Sequence, residues 1–139
     1  MEIVKVKTGS PAEERGSYSR LVAVGDLIFV SNTAGRNPET KLIPEDPAEQ
    51  TRQVLANIDR ALTSVGACLD DVVAARVFIQ FAEDIDPVMT VYADRMREVN
   101  PTLTMTSPPL GATEYKVEIE VTAYRGAGKS AVKHVMLAS

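Results

Sequence analysis

The clearest alternation in the chain lies near its end. From Val117 to Tyr124, Val117, Ile119 and Val121 fall on one face, and Glu118, Glu120 and Thr122 on the other. A period of two with β-branched residues is the pattern of a strand buried on one side only. A short Thr-rich run, Pro101 to Thr106, precedes it across a Pro/Gly loop, so the two read as a hairpin. Near the start, Glu2 to Lys7 also alternates and predicts a strand. Thr8 to Tyr18 is rich in Gly, Ser and Pro and reads as a loop. Arg20–Val24 and Leu27–Ser31, joined by Gly25-Asp26, read as a second hairpin. Its second run, LIFV, is apolar throughout, which predicts cover on both sides.

The helical period appears twice. Asp46-Pro47-Ala48-Glu49 is a start signal, with a capping aspartate, proline at the first position and a glutamate three residues on. Thr51, Val54, Leu55, Ile58, Leu62 and Val65 then recur at three- and four-residue steps, and Gly66 is a natural stop. After a long apolar strand, VVAARVFIQF, Asp86-Pro87 opens a second helix with Val88, Val91, Tyr92, Met96 and Val99 on one face. Asn100-Pro101 ends it. The order β-β-β-α-β-α-β-β, with two single-faced helices, predicts an α+β fold with both helices on one face of a single sheet. The opposite face is left bare, which in a domain this small favours an oligomer.

Composition narrows the function. At 139 residues and 45% hydrophobic, the chain is one globular domain, here 1–126, with a weakly patterned tail at 127–139. A formal net charge of −4, with Lys and Arg scattered, argues against a nucleic-acid partner. No run approaches the roughly 18 apolar residues of a membrane span. Cys68 is the only cysteine, which fits a reducing compartment and predicts a cytoplasmic protein. One His (His134) and one Cys share no ligand spacing, so no metal is expected.

AYRGAGKS, from Ala123 to Ser130, resembles a loose phosphate loop, but only nine residues follow it, and a flexible tail is the better reading. Glu118 and Glu120 are ordinary solvated carboxylates unless the bare face closes over them. Burial there would suit one as a general base. Arg20 and Arg36, at a strand end and in a loop, are surface cations or grips for a carboxylate.

Gly16-Ser17-Tyr18-Ser19, GDLIFVSNTAG, EQTRQVLANIDRALTSVGACLDDVVAARVFI, Val91-Tyr92, NPTLT and VEIEVTA occur here in that order. Together they resemble the Rid (reactive intermediate deaminase) or YjgF family, over roughly Gly16 to Ala123. The resemblance implies a chorismate-mutase-like fold, a homotrimer packed through its sheets into a central barrel, and small-molecule clefts between subunits. It implies hydrolysis of enamines or imines, such as 2-aminoacrylate, to a 2-keto acid and ammonia without a cofactor. Carried over residue by residue, it implies Glu118 as the group that supports the attacking water. Tyr18 from an adjacent subunit, Ser31, Asn32, Met89, Leu103, Thr104 and Met105 would line the cleft, with backbone N–H groups near Ser31, Asn32 and Thr104 on substrate oxygens.

Four positions depart from the family pattern. Leu103 stands where an arginine clamps the substrate carboxylate, Met105 where a cysteine is frequent, Asn32 where glycine is usual and Met89 where asparagine is common. Losing a buried charge partner costs about 2–5 kcal/mol in comparable interfaces. The expectation is therefore a divergent imine deaminase whose substrate is not 2-aminoacrylate, because Leu103 replaces the arginine, or one in which Arg36 or Arg20 replaces the missing cation. The alternative is a non-catalytic trimeric small-molecule-binding or regulatory protein.

Overall fold

The computed structural model describes residues 1–138. In chain order they form β1 (Ile3–Val6), α1 (Pro11–Gly16), β2 (Leu21–Val24), β3 (Leu27–Ala34), α2 (Pro47–Thr63), β4 (Val72–Ile79), α3 (Ile85–Met96), β5 (Thr102–Thr106) and β6 (Val117–Tyr124). The strands make one sheet in the order β1-β2-β3-β6-β4-β5. All neighbours are antiparallel except β4 and β5, which run parallel.

The core lies between one sheet face and the two longer helices. Val54, Ile58 and Leu62 of α2, and Val88, Tyr92 and Met96 of α3, pack in one cluster with Ile28, Val77, Ile119 and Val121 of the sheet. Burying one such Ile or Leu contributes about 2–3 kcal/mol. α2 begins as its start signal predicts: Asp46 accepts the Glu49 N–H at 2.9 Å. It ends two residues early, and Gly66 takes a left-handed φ of 77° beyond it.

Four local expectations are corrected. The stretch from Thr8 to Tyr18 contains α1, opened by Ser10, whose hydroxyl accepts the Glu13 N–H. α3 begins at Ile85, so Pro87 sits third in the helix, where its missing N–H would have no intrahelical partner in any case. The LIFV run is covered on one side only, since Leu27 and Phe29 face outward, Phe29 with 45% of its surface exposed. β5 and β6 are not a hairpin: β4 lies between them. The reason is the α3 crossover, because a strand that returns through a helix comes back parallel. β5 therefore joins the outer edge of β4, and β6 fills the slot between β3 and β4.

The other sheet face carries no helix. Ile3, Leu27, Phe29 and Tyr124 are exposed on its β1–β3–β6 side. Glu118, Glu120 and Arg76 lie towards β4 on the same face, by the strand register.

Candidate active site

The site is built by an interruption in β3. Val30 pairs with Val121 and Thr33 with Ile119, so Ser31 and Asn32 together oppose the single residue Glu120. This is a β-bulge, a device that re-aims side chains. Its effect here is specific. The Ser31 hydroxyl donates to the Ser19 carbonyl at 2.8 Å, and the Asn32 amide Nδ2 donates to Glu118 Oε1 at 2.9 Å. Thr33 returns to the core face, where it is buried and donates to the Ser31 carbonyl at 2.7 Å.

The two acids of β6 separate at this point. Glu120 is paired with Arg76 at 3.0 Å across the β4–β6 ladder. Glu118 has no ion pair among the described residues. Burial pushes its carboxyl above the ordinary 4.5, with the charge of Arg20 partly opposing that rise. A half-buried carboxylate that is hydrogen-bonded and not neutralised can accept a proton from a nearby water.

Arg20 enters β2 beside this group. Its Nη2 donates to the Asn32 carbonyl at 2.6 Å. The Tyr18 ring lies against the guanidinium, 5.8 Å from its carbon to the ring centroid. Tyr18 is placed by α1: its N–H reaches the Glu13 carbonyl at 3.1 Å. Its ring packs so closely on Gly16 that a β-carbon there would stand 2.9 Å from it. Glu13 itself is buried, and its two oxygens are taken by the Thr8 N–H and hydroxyl. One chain thus gathers Tyr18, Arg20, Ser31, Asn32 and Glu118.

The remaining expected site residues lie elsewhere in the chain. Leu103 pairs with Ala75 and Met105 with Val77, which places both on the helix face of the sheet. Met89 packs against the core from α3. Thr104 pairs with Arg76 on the bare face, two strands from β6 and so about 10 Å away. Arg36 donates through Nη1 to the Lys41 carbonyl at 2.7 Å and through Nη2 to the Tyr115 hydroxyl at 2.9 Å. The Ser31 N–H, expected to meet a substrate oxygen, instead donates to the Arg20 carbonyl at 3.0 Å. Two grooves, of about 550 and 260 Å³, indent the surface, and Glu118 lines neither. The smaller contains Gly128, whose N–H donates to Asp71 at 2.8 Å. A backbone donor that a phosphate loop would need is thus given to a carboxylate.

The family model described as Endoribonuclease L-PSP matches residues 9–125. A crystal structure of a YjgF/YER057c/UK114 family member from Mycobacterium tuberculosis superposes with a TM-score of 0.80 at 34% identity, covering 88% of this chain and 99% of that one. The chain belongs to the YjgF/RutC family. The 2-iminobutanoate/2-iminopropanoate deaminase of Escherichia coli K12 is 32% identical to it over 113 residues, 79% of this chain and 88% of the relative. E. coli TdcF, solved with bound serine, superposes on this YjgF-family chain with a TM-score of 0.74 at 26% identity, covering 87% and 93%.

Three features of this YjgF-family site escape the motif reading. Gln50, fully buried, donates to the Pro44 and Glu114 carbonyls and accepts from the Lys116 and Val117 N–H groups. Gln80 holds the same loop from the sheet side, through Leu110, Ala112 and Tyr115. Asn57 fixes the end of β3 by donating to the Ala34 and Arg36 carbonyls. The available signal is polarity at stripe positions: Gln50 stands four residues before Val54 on an otherwise apolar line. Among the described residues no three acids, histidines or cysteines cluster to hold a metal, and no helix is long and apolar enough to cross a membrane.

Proposed function

We propose that this protein is a divergent imine deaminase that works without a cofactor, as a cytoplasmic homotrimer. The observation that carries the reading is Glu118. It is a half-buried carboxylate with a raised proton affinity, oriented by Asn32 and left without a cation partner, in a relative of a 2-iminobutanoate/2-iminopropanoate deaminase.

The chemistry is hydrolysis of a C=N bond. Glu118 takes a proton from water as the water oxygen bonds to the imine carbon, and the π electrons move to nitrogen. The protonated carboxyl then returns a proton to that nitrogen. Glu118 then takes the proton of the new hydroxyl and passes it to the same nitrogen, so that the C–N bond breaks as the carbonyl forms and nitrogen leaves as ammonia. General-base help of this kind contributes typically 10²–10⁴-fold.

The trimer reading rests on the bare face. Ile3, Leu27, Phe29 and Tyr124 make it apolar on one side, and packing such faces together around a threefold axis removes them from water. The same packing would bring bare-face residues of one copy, Thr104 of β5 among them, towards Glu118 of another, with the ligand cleft between them.

Ammonia release from a panel of freshly generated imines tests the reading. Wild-type protein accelerates release for at least one, and Glu118→Gln lowers that rate by at least 100-fold, the low end of the general-base range. Equal rates for the two proteins remove Glu118 from the mechanism. Leu103 favours a second reading, a trimeric small-molecule-binding protein without turnover. Ligand binding with no ammonia release from any imine would establish that one. The family model's description also names a ribonuclease. RNA cleavage by wild type that Glu118→Gln abolishes would replace both readings.

A further inference from the structure

We infer that Asn32 is a second catalytic residue, whose side-chain amide bridges the base and the substrate nitrogen. Its Nδ2 holds Glu118, and its Oδ1 accepts an N–H from the nitrogen of the C=N group. The inference rests on the imine-hydrolysis reading of this site. It adds a nitrogen specificity: C=N groups that carry hydrogen on nitrogen are taken over N-alkylated ones.

The amide is oriented by the base. An ionised carboxylate only accepts hydrogen bonds, so the 2.9 Å contact with Glu118 Oε1 fixes Nδ2 as the amide atom that faces it. Oδ1, a carbonyl oxygen with two lone pairs, then points elsewhere and has no partner among the described residues. Glu118 Oε2 has none there either, so one carboxylate oxygen is anchored and the other is open to a water. Asn32 is exposed, where a ligand can reach it, while Glu118 is half-buried beside it.

Two structural reasons for an asparagine at this place fail. Asparagine tolerates a left-handed backbone, but the non-glycine residues with positive φ are Ser17, Lys41 and Asn100, so the Asn32 backbone does not demand it. Nor does the Asn32 side chain tie the bulge together. Arg20 Nη2 does so on the Asn32 main-chain carbonyl at 2.6 Å, and the Ser31 hydroxyl on the Ser19 carbonyl at 2.8 Å. The one polar contact of the amide is to the base. The other acid of the strand, Glu120, is engaged by Arg76, which leaves Oδ1 as an open neutral acceptor next to Glu118. The chemistry gives it a use. The substrate nitrogen gains hydrogen and positive character as protons reach it through Glu118. A hydrogen bond from that nitrogen to Oδ1 strengthens along the same path, so it stabilises the transition state more than the bound imine.

The test uses the full chain and two variants at this exposed position. Asn32→Leu keeps the volume without a polar group, and Asn32→Asp keeps an acceptor but loses the donor. Freshly generated 2-iminobutanoate is compared with its N-methyl counterpart, which has one N–H fewer, by the 2-oxobutanoate formed. Wild type should favour the first in kcat/KM by at least about tenfold, the low end for a hydrogen bond to a charged group. Asn32→Leu should bring that ratio near one and lower kcat more than it raises KM. Asn32→Asp should lower kcat yet keep the ratio. No preference in wild type, or one that Asn32→Leu retains and that is therefore steric, overturns the assignment. A binding arm needs no turnover: 2-aminobutanoate and its N,N,N-trimethyl form carry the same charges and differ in N–H. In calorimetric titration wild type and Asn32→Asp should bind the first at least about tenfold more tightly, and Asn32→Leu should lose that margin. Equal affinities in wild type also overturn it. A margin lost in Asn32→Leu, without ammonia release from any imine, supports Asn32 as the nitrogen acceptor and refutes the deaminase reading. Ammonia release with the margin intact in Asn32→Leu does the reverse.

Discussion

Replacing Gln50 with leucine removes four hydrogen bonds, three that tie the segment entering β6 to α2 and one to the Pro44 carbonyl before α2. Leucine keeps most of the side-chain volume, so the effect isolates polarity. The Val117 N–H is buried, and leaving it without an acceptor costs about 1–3 kcal/mol. The Lys116 N–H and the Pro44 and Glu114 carbonyls are only partly buried and regain some water, so each bond there is worth about 0.5–1 kcal/mol. The sum is about 2.5–6 kcal/mol, less about 1 kcal/mol for the extra apolar surface that leucine buries. A net loss of about 1.5–5 kcal/mol lowers the melting temperature of a domain this size by about 5–20 °C. Urea and thermal unfolding at one fixed protein concentration measure it, because association adds to apparent stability. The loss should reach the site as well, since Val117 directly precedes Glu118 in β6. A Gln50→Leu protein within about 0.5 kcal/mol of wild type would refute the claim that this network holds the start of β6.

Two further predictions follow from the bare face. Burial raises the Glu118 carboxyl above 4.5, so between 4.5 and its raised value the folded state binds more protons than the unfolded one. Stability contributed by this group therefore falls as pH rises through that window. Glu118→Gln should flatten the fall and be at least as stable as wild type near pH 7, in urea midpoints taken at intervals from about pH 4; a parallel pair of profiles would refute it. Phe29→Asp places a charge in the exposed apolar patch and should shift the light-scattering mass from three chains towards the 15.0 kDa of one; wild type already near 15.0 kDa at micromolar concentration refutes the trimer.

What the sequence made legible depended on whether the signal was local. α2 could be read because its start signal and its apolar stripe agree. α1 carries nearly the same start, Ser10-Pro11-Ala12-Glu13, yet reads as loop because its six residues form no apolar stripe. Its one buried residue is Glu13, held by Thr8, which no hydrophobic pattern reveals. The place of β5 was illegible for a different reason. Alternation shows that a segment is a strand but not which strand it joins, and here the α3 crossover decides. The run of polar residues Ser31-Asn32-Thr33 read as the end of β3. The strand continues to Ala34, because a bulge absorbs one residue and Thr33 regains the core face.

That bulge also changes how the missing arginine should be weighed. Read along the sequence, Leu103 and Glu118 look like two ends of one cleft, and the loss of charge at one seems to disarm the other. The strand register places them on opposite faces of one sheet, so within a chain the substitution leaves the surroundings of Glu118 untouched. The groups that orient Glu118 and set its charge environment, Asn32 and Arg20, belong to its own chain and remain in place. A change at position 103 therefore leaves in place, within a chain, the contacts that orient Glu118.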